Sequence, residues 1–376
     1  MTRILADYTA MLADGLGTVL RVRGAQRWRR LGFLVLLLTF YPAWVAFSSL
    51  CLLLDPLIAP GVLDEPLPAP VFIVGNHRTG STFLHRLLAV DEETFATAQL
   101  WDLLLPSLVQ KRALMALGRL DTALGGAGRR LVDWADERWM NDYRQVHPMG
   151  IRLPEEDEFF LLYRLQSAAL WECFPRVKRL RRLFWSDTEM TPTELDGALA
   201  FYRQMAQRHR RWKGGATWLS KNPLFSARIS GLRRAFPDAR FVVLVRDPRR
   251  VVPSTASLLH HALRGVGALS DAEQEMALVH EICDRFYDEP LAQLDGLPPE
   301  RLAVVRYEEL RADLVGTVEG FLTQLDVPVT PRLHEALVAS TREGYRKTHS
   351  YQLEDWGLSE EGLKERYADV MAQYSY

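Results

Sequence analysis

The sequence has few cysteines, few lysines and almost no net charge. Its 376 residues include three cysteines, Cys51, Cys173 and Cys283, which form no CxxC pair. Three cysteines are too few for a disulfide framework, so a reducing compartment is expected, and no His/Cys/carboxylate cluster has the spacing of metal ligands. Forty-six basic residues against 47 acidic ones give a formal net charge of −1. No global field attracts nucleic acid, which is therefore not an expected partner, and any anion site must be local.

Charged residues are also missing from a long stretch near the N-terminus, residues 31–54. As one helix this stretch is about 36 Å long, which is enough to cross a bilayer. The preceding ten residues hold Arg21, Arg23, Arg27, Arg29 and Arg30. Such a basic flank is typical of the cytoplasmic side of a membrane segment. We therefore expect a membrane-associated protein at the cytoplasmic face of the cell membrane.

Pro42 lies near the middle of this apolar stretch and leaves its topology open. A proline removes one backbone donor, so two short helices meeting at Tyr41–Pro42 and dipping into one leaflet are an alternative to a single spanning helix. A pair of buried core helices is the third alternative.

The chain divides into an N-terminal basic and membrane-associated helical segment (1–63), a proline-rich linker DEPLPAP (64–70) and one larger domain (71–376). Within that domain, residues of about 100–215 have helical periodicity and are rich in Trp and Arg. This part predicts a helical insertion that forms a lid or substrate channel.

Three short apolar runs in the larger domain predict strands, at residues 71–74, 241–245 and 302–305. Helical patterns follow or precede them at 81–90, 224–236 and 308–325. Strands that are apolar on both faces and alternate with helices predict an α/β fold, a P-loop-like parallel sheet flanked by helices. Ligands of such folds bind at the carboxyl ends of the strands.

A glycine-rich loop follows the first predicted strand. Gly75 and Gly80 are five residues apart between a strand and a helix, the spacing of a phosphate-binding loop. ATP and GTP loops have lysine after the second glycine, whereas this chain has Ser81, and Arg78 is the loop's fixed cation. A tight strand–helix turn without a ligand is the alternative interpretation. The predicted anion-binding residues are His77, Arg78, Thr79, Gly80, Ser81 and Thr82.

The string VFIVGNHRTGSTFLHRLL resembles the 5′-phosphosulfate loop of sulfotransferases that use 3′-phosphoadenosine 5′-phosphosulfate (PAPS). A second block, WLSKNPL at 218–224 followed by PDARFVVLVRDPRRVVPS, resembles their 3′-phosphate segment, in which Arg246 and Ser254 match an arginine and serine that clamp the phosphate. The resemblance covers about residues 70–330. It is closest to the branch with arginine in the loop, which includes tyrosylprotein sulfotransferases and bacterial enzymes acting on lipid-like alcohols.

The resemblance implies PAPS as co-substrate, with no metal. PAPS has anionic groups at both ends of its ribose, so two anion sites must face one cleft, the loop with Arg78 and the pair Arg246 and Ser254. Lys221 matches a family lysine that stabilises the transferring sulfuryl group, and the chain has only six lysines. A solvated lysine at a strand end is the alternative interpretation. The family also has a late basic loop near the nucleotide, which predicts a phosphate contact for Arg346 or Lys347.

The general base is not carried over directly, because Gln99 occupies the region of the glutamate that the tyrosylprotein branch uses. The acidic block PEEDE at 154–158 is the best substitute, and similar blocks occur in bacterial members of the family. Crowded carboxylates beside aromatic residues raise a carboxyl pKa toward that of a base, and Glu155 or Glu156 is the predicted base. Helix capping by these acids is the alternative. Reserve candidates are His77, Asp102, His147 and His349.

Together these patterns predict a sulfotransferase that transfers the sulfuryl group of PAPS to a hydroxyl of a lipophilic acceptor, a lipid or polyprenyl-type alcohol, at a membrane surface. A small-molecule kinase with a P-loop is one alternative. A catalytically inactive nucleotide- or lipid-binding membrane protein is another.

Overall fold

The structure is a computed structural model that describes residues 2–144, 150–268, 271–343 and 352–376. Its centre is a parallel sheet whose strands are β1 (Val71–Gly75), β2 (Phe95–Ala96), β3 (Thr217–Lys221), β4 (Arg240–Val245) and β5 (Leu302–Arg306). Their order across the sheet is β2-β3-β1-β4-β5. The predicted α/β fold with a parallel, helix-flanked sheet is therefore confirmed.

The three apolar runs of the sequence are β1, β4 and β5. The other two strands were not predicted, since β2 has two residues and β3 contains Ser220 and Lys221 among its five. Central β1 pairs with β3 through Ile73 opposite Lys221, and with β4 through Gly75 opposite Leu244. Because all three strands are parallel, their carboxyl ends meet at one edge of the sheet.

Helices cover both faces of the sheet, as the alternating side chains of β1 require. Phe72 belongs to one apolar core together with Tyr202, whereas Ile73 belongs to a second core together with Leu84 and Phe321. Successive strand residues point to opposite faces, so a strand buried on both sides must be apolar throughout.

The helices fall into three groups along the chain. Before β1 are α1 (Thr2–Arg21), α2 (Gly24–Val35) and α3 (Tyr41–Ile58). Between β1 and β3 are α4 (Ser81–Leu88), α5 (Leu100–Leu104), α6 (Leu108–Ala123), α7 (Ala127–Arg144), α8 (Ala169–Cys173), α9 (Arg181–Phe184), α10 (Ser186–Glu189) and α11 (Pro192–Trp212). After β3 are α12 (Ile229–Ala235), α13 (Pro248–Gly265), α14 (Ala272–Leu294), α15 (Tyr307–Ala312), α16 (Leu314–Gln324), α17 (Pro331–Glu343), α18 (Glu360–Arg366) and α19 (Ala368–Tyr374).

Two predicted helices are interrupted. The pattern at 224–236 forms a 3₁₀ turn, Pro223–Ala227, and then α12, because Asn222 accepts a hydrogen bond from the backbone of Leu224 and starts the tighter turn. The pattern at 308–325 is divided into α15 and α16 at Asp313, whose side chain accepts from the backbone N–H of Gly316. Both breaks follow from a side chain that binds a helix N-terminus.

The apolar N-terminal stretch is part of one continuous helix. A π-helical turn, Leu36–Phe40, joins α2 to α3, so helix runs from Gly24 to Ile58 over 35 residues. Pro42 lies in the first turn of α3, and the wider π turn before it accommodates its missing donor. The alternative of two separate helices meeting at Tyr41–Pro42 is wrong. The helix is long and apolar enough to cross a membrane, and 17% of its most apolar window is buried, so most of that window lies outside the core.

The linker at 64–70 is irregular, yet it is fixed to the domain. Glu65 forms ion pairs of 3.2 Å with both Arg210 and Arg211. The backbone N–H of Ala69 donates to Asp238 over 2.7 Å. The N-terminal helices are thus attached through a short, bonded connection.

Candidate active site

The glycine-rich loop closes over the carboxyl end of β1 in a conformation that only glycine favours at two positions. Gly75 has φ +125°, and a Cβ there would lie 2.2 Å from the carbonyl oxygen of Leu244. Gly80 has φ +90°, and its Cβ would meet the Tyr307 ring at 2.8 Å. The glycines therefore bring the loop backbone close to β4 and α15.

The two predicted anion sites lie side by side. Arg78 donates from Nε to the Ser254 hydroxyl over 2.9 Å, and Arg246 donates from Nη1 to the Arg78 carbonyl over 2.8 Å. The Arg246 guanidinium lies 4.1 Å from the centre of the Tyr307 ring. Its Nε is buried and has no hydrogen-bond partner among the described residues. Sequence reasoning required Arg78 and Arg246 to share one cleft, and the structure places them in direct contact.

The remaining loop residues surround this cleft. Thr79 is buried and donates its hydroxyl to the Asn76 carbonyl over 2.8 Å, so it shapes the loop. Ser81 and Thr82 form the first turn of α4, whose N–H groups present partial positive charge to the loop. The His77 ring stacks 6.0 Å from Phe286 and lines the neighbouring cavity.

Lys221 ends β3 beside this loop and is buried. Its side chain is 1% exposed, and its Nζ lies 2.7 Å from Oε1 of Glu156. The alternative interpretation of Lys221 as a solvated lysine is therefore wrong. Sequence reasoning predicted both residues for the site, and the fold brings them together across 65 residues of sequence.

Each carboxylate of the acidic block has its own surroundings. Glu155 is buried and its Oε1 accepts from the backbone N–H of Glu156 over 3.2 Å. Glu158 is buried against Arg228 at 2.9 Å. Asp157 accepts from Tyr202 and from Ser220, and burial raises its pKa to about 7. Asp157 and Glu158 are thus held by structural contacts, whereas Glu156 pairs with Lys221.

The acidic block does stand at a helix start, with Asp157 and Glu158 in the first turn of the helix that follows. A 3₁₀ helix, Asp157–Arg164, begins after Glu156, and no side-chain hydrogen bond caps its start. Glu158 instead accepts from the backbone N–H of Ala168 over 2.7 Å, at the beginning of α8. Pro154 lies before the helix and forms an isolated bridge with Gln99.

A cavity of about 760 Å³ lies next to Lys221's partner Glu156. Glu155, Glu172 and His77 also line it, and its apolar lining comes from Phe159, Leu224, Leu258, Leu259, Ala262 and Ile282. Burial, together with the charges of Glu156 and Glu158, raises the pKa of Glu172 to about 8. The cavity therefore combines carboxylates beside Lys221 with an apolar wall large enough for an organic acceptor.

Sequence reasoning missed two residues of this region. Glu172 carries no motif and reaches the cavity only because α8 packs against α13. Ser226 accepts from the Gly75 N–H over 2.9 Å and donates to the Gly75 carbonyl over 3.0 Å, which holds the end of β1. Its place three residues after Pro223 gives no signal of that contact.

Other predicted residues lie elsewhere. Asp102 is wrong as a reserve base, because it is buried in an ion pair with Lys111 and lies 3.7 Å from His209. The cations at its side lower the Asp102 pKa against the opposing effect of burial. The candidates His147, His349, Arg346 and Lys347 lie outside the described residues.

A protein-family model described as the sulfotransferase family matches residues 70–331. The chain belongs to the sulfotransferase family. This sulfotransferase is 29% identical over 344 residues to omega-hydroxy-beta-dihydromenaquinone-9 sulfotransferase Stf3 of Mycobacterium bovis and of Mycobacterium tuberculosis, and each match covers 85% of this chain and 77% of the relative. Both motif blocks and the acidic block lie inside residues 70–331, the range that the family model matches.

Solved structures share the fold. Sulfotransferase STF1 from Mycobacterium tuberculosis H37Rv has a TM-score of 0.69 and 22% identity, and the match covers 96% of this chain and 92% of that one. Sulfotransferase STF9 from Mycobacterium avium has a TM-score of 0.65 and 21% identity, and the match covers 85% of this chain and 80% of that one. The predicted family and enzyme class are confirmed, and PAPS is the sulfuryl donor that the family implies. The kinase and the inactive binding protein are not favoured.

Proposed function

We propose that this sulfotransferase transfers the sulfuryl group of PAPS to a hydroxyl of a lipophilic acceptor at the cytoplasmic face of a membrane. The observation that carries the proposal is the contact of Arg78, Ser254 and Arg246 at the strand ends, close to Lys221 and the carboxylate-lined cavity. Residues 71–376 form the catalytic domain in this proposal, and residues 1–63 form the membrane-associated segment.

The donor site uses the loop and the end of β4. The buried Nε of Arg246 is a donor that a phosphate oxygen would satisfy, since an unpaired buried N–H is costly. Arg78 and Ser254 supply further donors, and arginine binds phosphate through parallel N–H bonds. Backbone N–H groups of Gly80, Ser81 and Thr82 at the start of α4 bind the sulfate end. PAPS supplies the activated sulfuryl group, and the chain's own residues position it and stabilise its charge.

Lys221 and Glu156 carry the transfer step in this proposal. Lys221 is held at the end of β3 and donates to the sulfuryl oxygens, which bear charge in a dissociative transition state. Glu156 accepts the proton of the acceptor hydroxyl. Its side chain is 16% exposed, against 2% for Glu155, and it lines the cavity beside Lys221. Glu155 accepts from the backbone N–H of Glu156 and lies near the Arg86 cation, whose pKa burial lowers against the opposing effect of the Glu155 charge.

The lipophilic acceptor is supported by the cavity and by the relatives. Apolar residues line the cavity together with its carboxylates, and Arg29 of α2 also lines it, so it reaches the N-terminal helices. The Stf3 relatives are named for an omega-hydroxy menaquinone derivative, an alcohol with a long apolar tail. In this proposal the apolar tail of the alcohol contacts the apolar lining residues, and its hydroxyl reaches Glu156.

Calorimetry of the purified chain with 3′-phosphoadenosine 5′-phosphate tests the donor site. We expect binding that does not require magnesium and that Arg246→Ala weakens about tenfold or more, because one charge-assisted phosphate contact is lost. Arg234→Ala is the matched control, since Arg234 is exposed and pairs with Asp196 at 3.0 Å away from the loop. Equal affinities in the two variants, or a preference for ATP with magnesium, would refute the donor site.

A further inference from the structure

Exposed apolar side chains are concentrated in two segments of the chain. Of the large apolar side chains that are exposed among the described residues, all but Val90, Leu153 and Val304 belong to residues 4–63 or 104–134. A folded soluble surface scatters such residues singly, whereas a concentration of them marks an interaction surface.

The second segment is a helical hairpin formed by α6 and α7, which lies in the insertion between β2 and β3. In residues 112–132 every residue is exposed except Asp121 and Gly126, which are half-buried. The exposed large apolar side chains of the hairpin are Leu114, Met115, Leu117, Leu120, Leu124, Leu131, Val132 and Trp134. The hairpin therefore projects from the domain without burying an apolar face of its own.

The hairpin lies next to the apolar N-terminal helix. α6 packs against α3 and against α7, and Gln110 donates to the Ser48 hydroxyl over 3.0 Å. Ser107 donates to Asp55 over 2.6 Å. On α3 the exposed apolar side chains are Phe47, Leu50, Leu53, Leu54, Leu57 and Ile58. The two segments are thus neighbouring parts of one apolar surface.

Positive charge accompanies the N-terminal part of this surface. Residues 21–54 contain five arginines and no acidic residue, whereas the hairpin at residues 108–144 is nearly balanced, with seven basic and five acidic residues. The whole chain has a formal net charge of −1, so the N-terminal segment departs strongly from the average. Exposed arginines beside exposed leucines complement a bilayer with anionic headgroups, which is apolar inside and negatively charged at its boundary.

The contacts of the Gly24–Ile58 helix oppose a spanning orientation. Near its start, the buried Arg30 donates to the Cys173 carbonyl over 3.1 Å, and near its end, Asp55 accepts from Arg208 over 2.8 Å. These residues are about 37 Å apart along a helix, which exceeds a hydrocarbon core. The domain is therefore attached to the helix at both Arg30 and Asp55, and a helix that crossed the bilayer would take irregular backbone of the domain into lipid.

We propose that the chain inserts into a single leaflet of an anionic bilayer through a face formed jointly by the Gly24–Ile58 helix and the α6–α7 hairpin. This inference rests on the membrane association in the proposed function and specifies its elements. It also places the membrane next to the acceptor cavity, because Arg29 lines that cavity and belongs to the inserted helix.

Flotation of the full chain with phosphatidylcholine vesicles, with and without phosphatidylglycerol, tests the face. We expect binding that increases with phosphatidylglycerol, and a decrease of about tenfold or more for Leu117→Glu, because burial of one leucine contributes roughly that factor. Val90→Glu is the matched control at an exposed apolar position outside the face. Both variants should bind 3′-phosphoadenosine 5′-phosphate as the parent does, which shows that they are folded.

If Leu117→Glu floats with vesicles as well as the wild type does, the role of the hairpin is overturned. This holds even if the chain binds 3′-phosphoadenosine 5′-phosphate and Arg246→Ala weakens that binding. Equal binding to both lipid compositions would overturn the role of the arginines. For the orientation, Arg23→Cys and Asp64→Cys flank the helix at exposed positions. A membrane-impermeant thiol reagent should label both from the outside of sealed vesicles, and protection of one of them would overturn single-leaflet insertion.

Discussion

Replacing Lys221 with methionine removes the cation from a nearly buried ion pair while keeping most of the side-chain volume. Its partner Glu156 is 2.7 Å away, and the side chains are 1% and 16% exposed. Glu156→Gln removes the other charge, and the double variant removes both. The four proteins form a double-mutant cycle that separates the pair's stability from its chemistry.

The structure sets the size of the effect. A single removal leaves a charge in a poorly solvated site, which costs about 3 kcal/mol or more of unfolding free energy. The double variant removes both charges of the pair, so it should recover part of the lost unfolding free energy. The coupling free energy between the two substitutions should be about 1–3 kcal/mol. For turnover, loss of one preorganised donor lowers kcat by about 10²–10³. The catalytic losses should not be additive, because both residues are proposed to act in one step.

Urea unfolding followed by circular dichroism measures the stability part, and sulfuryl transfer at saturating PAPS measures the catalytic part. The Lys364–Glu360 pair is the control, since its atoms lie 2.9 Å apart but its side chains are 48% and 52% exposed. Lys364→Met and Glu360→Gln should change stability little and independently. Nucleotide affinity should stay unchanged in Lys221→Met, because the proposed phosphate contacts come from other residues.

Two results would refute this reasoning. Additive stability changes for Lys221→Met and Glu156→Gln would mean that the contact contributes nothing specific. Full turnover in Glu156→Gln would remove it as the base, and the same result in Lys221→Met would remove the lysine from the transfer step.

Two further predictions concern pH and the loop. Asp157 has a folded pKa of about 7 against an ordinary 3.8, so its contribution to stability is present below about pH 4 and is lost as pH rises through 7. The stability of the wild type relative to Asp157→Asn, measured by urea unfolding, should therefore fall from pH 5 to pH 8, and a flat difference would contradict this. Gly75→Ala should lower the melting temperature more than Gly80→Ala does, because its Cβ meets the backbone of Leu244 at 2.2 Å whereas that of Gly80 meets the movable Tyr307 ring at 2.8 Å. Equal melting temperatures would contradict the close approach.

Local patterns predicted most of the sheet and the donor loop. β1, β4 and β5 are recognisable because strands buried on both faces must be apolar throughout. β3 was missed because it ends in the polar Ser220 and Lys221, whose polarity is tolerated through contacts with residues far along the chain. The interrupted helices near Asn222 and Asp313 were missed because one side-chain contact decides where each begins.

The sequence by itself determined the family, through two motif blocks, and the parallel α/β architecture, the glycine-rich loop and the identity of the residues predicted to bind anions, since these depend on local motifs, spacing and periodicity. Tertiary structure alone decided that Lys221 is buried against Glu156, that Glu172 reaches the cavity, and that the Gly24–Ile58 helix lies along the domain. Contacts between residues far apart in the chain depend on how helices pack around the sheet, and neither residue of such a pair carries a local pattern that names its partner.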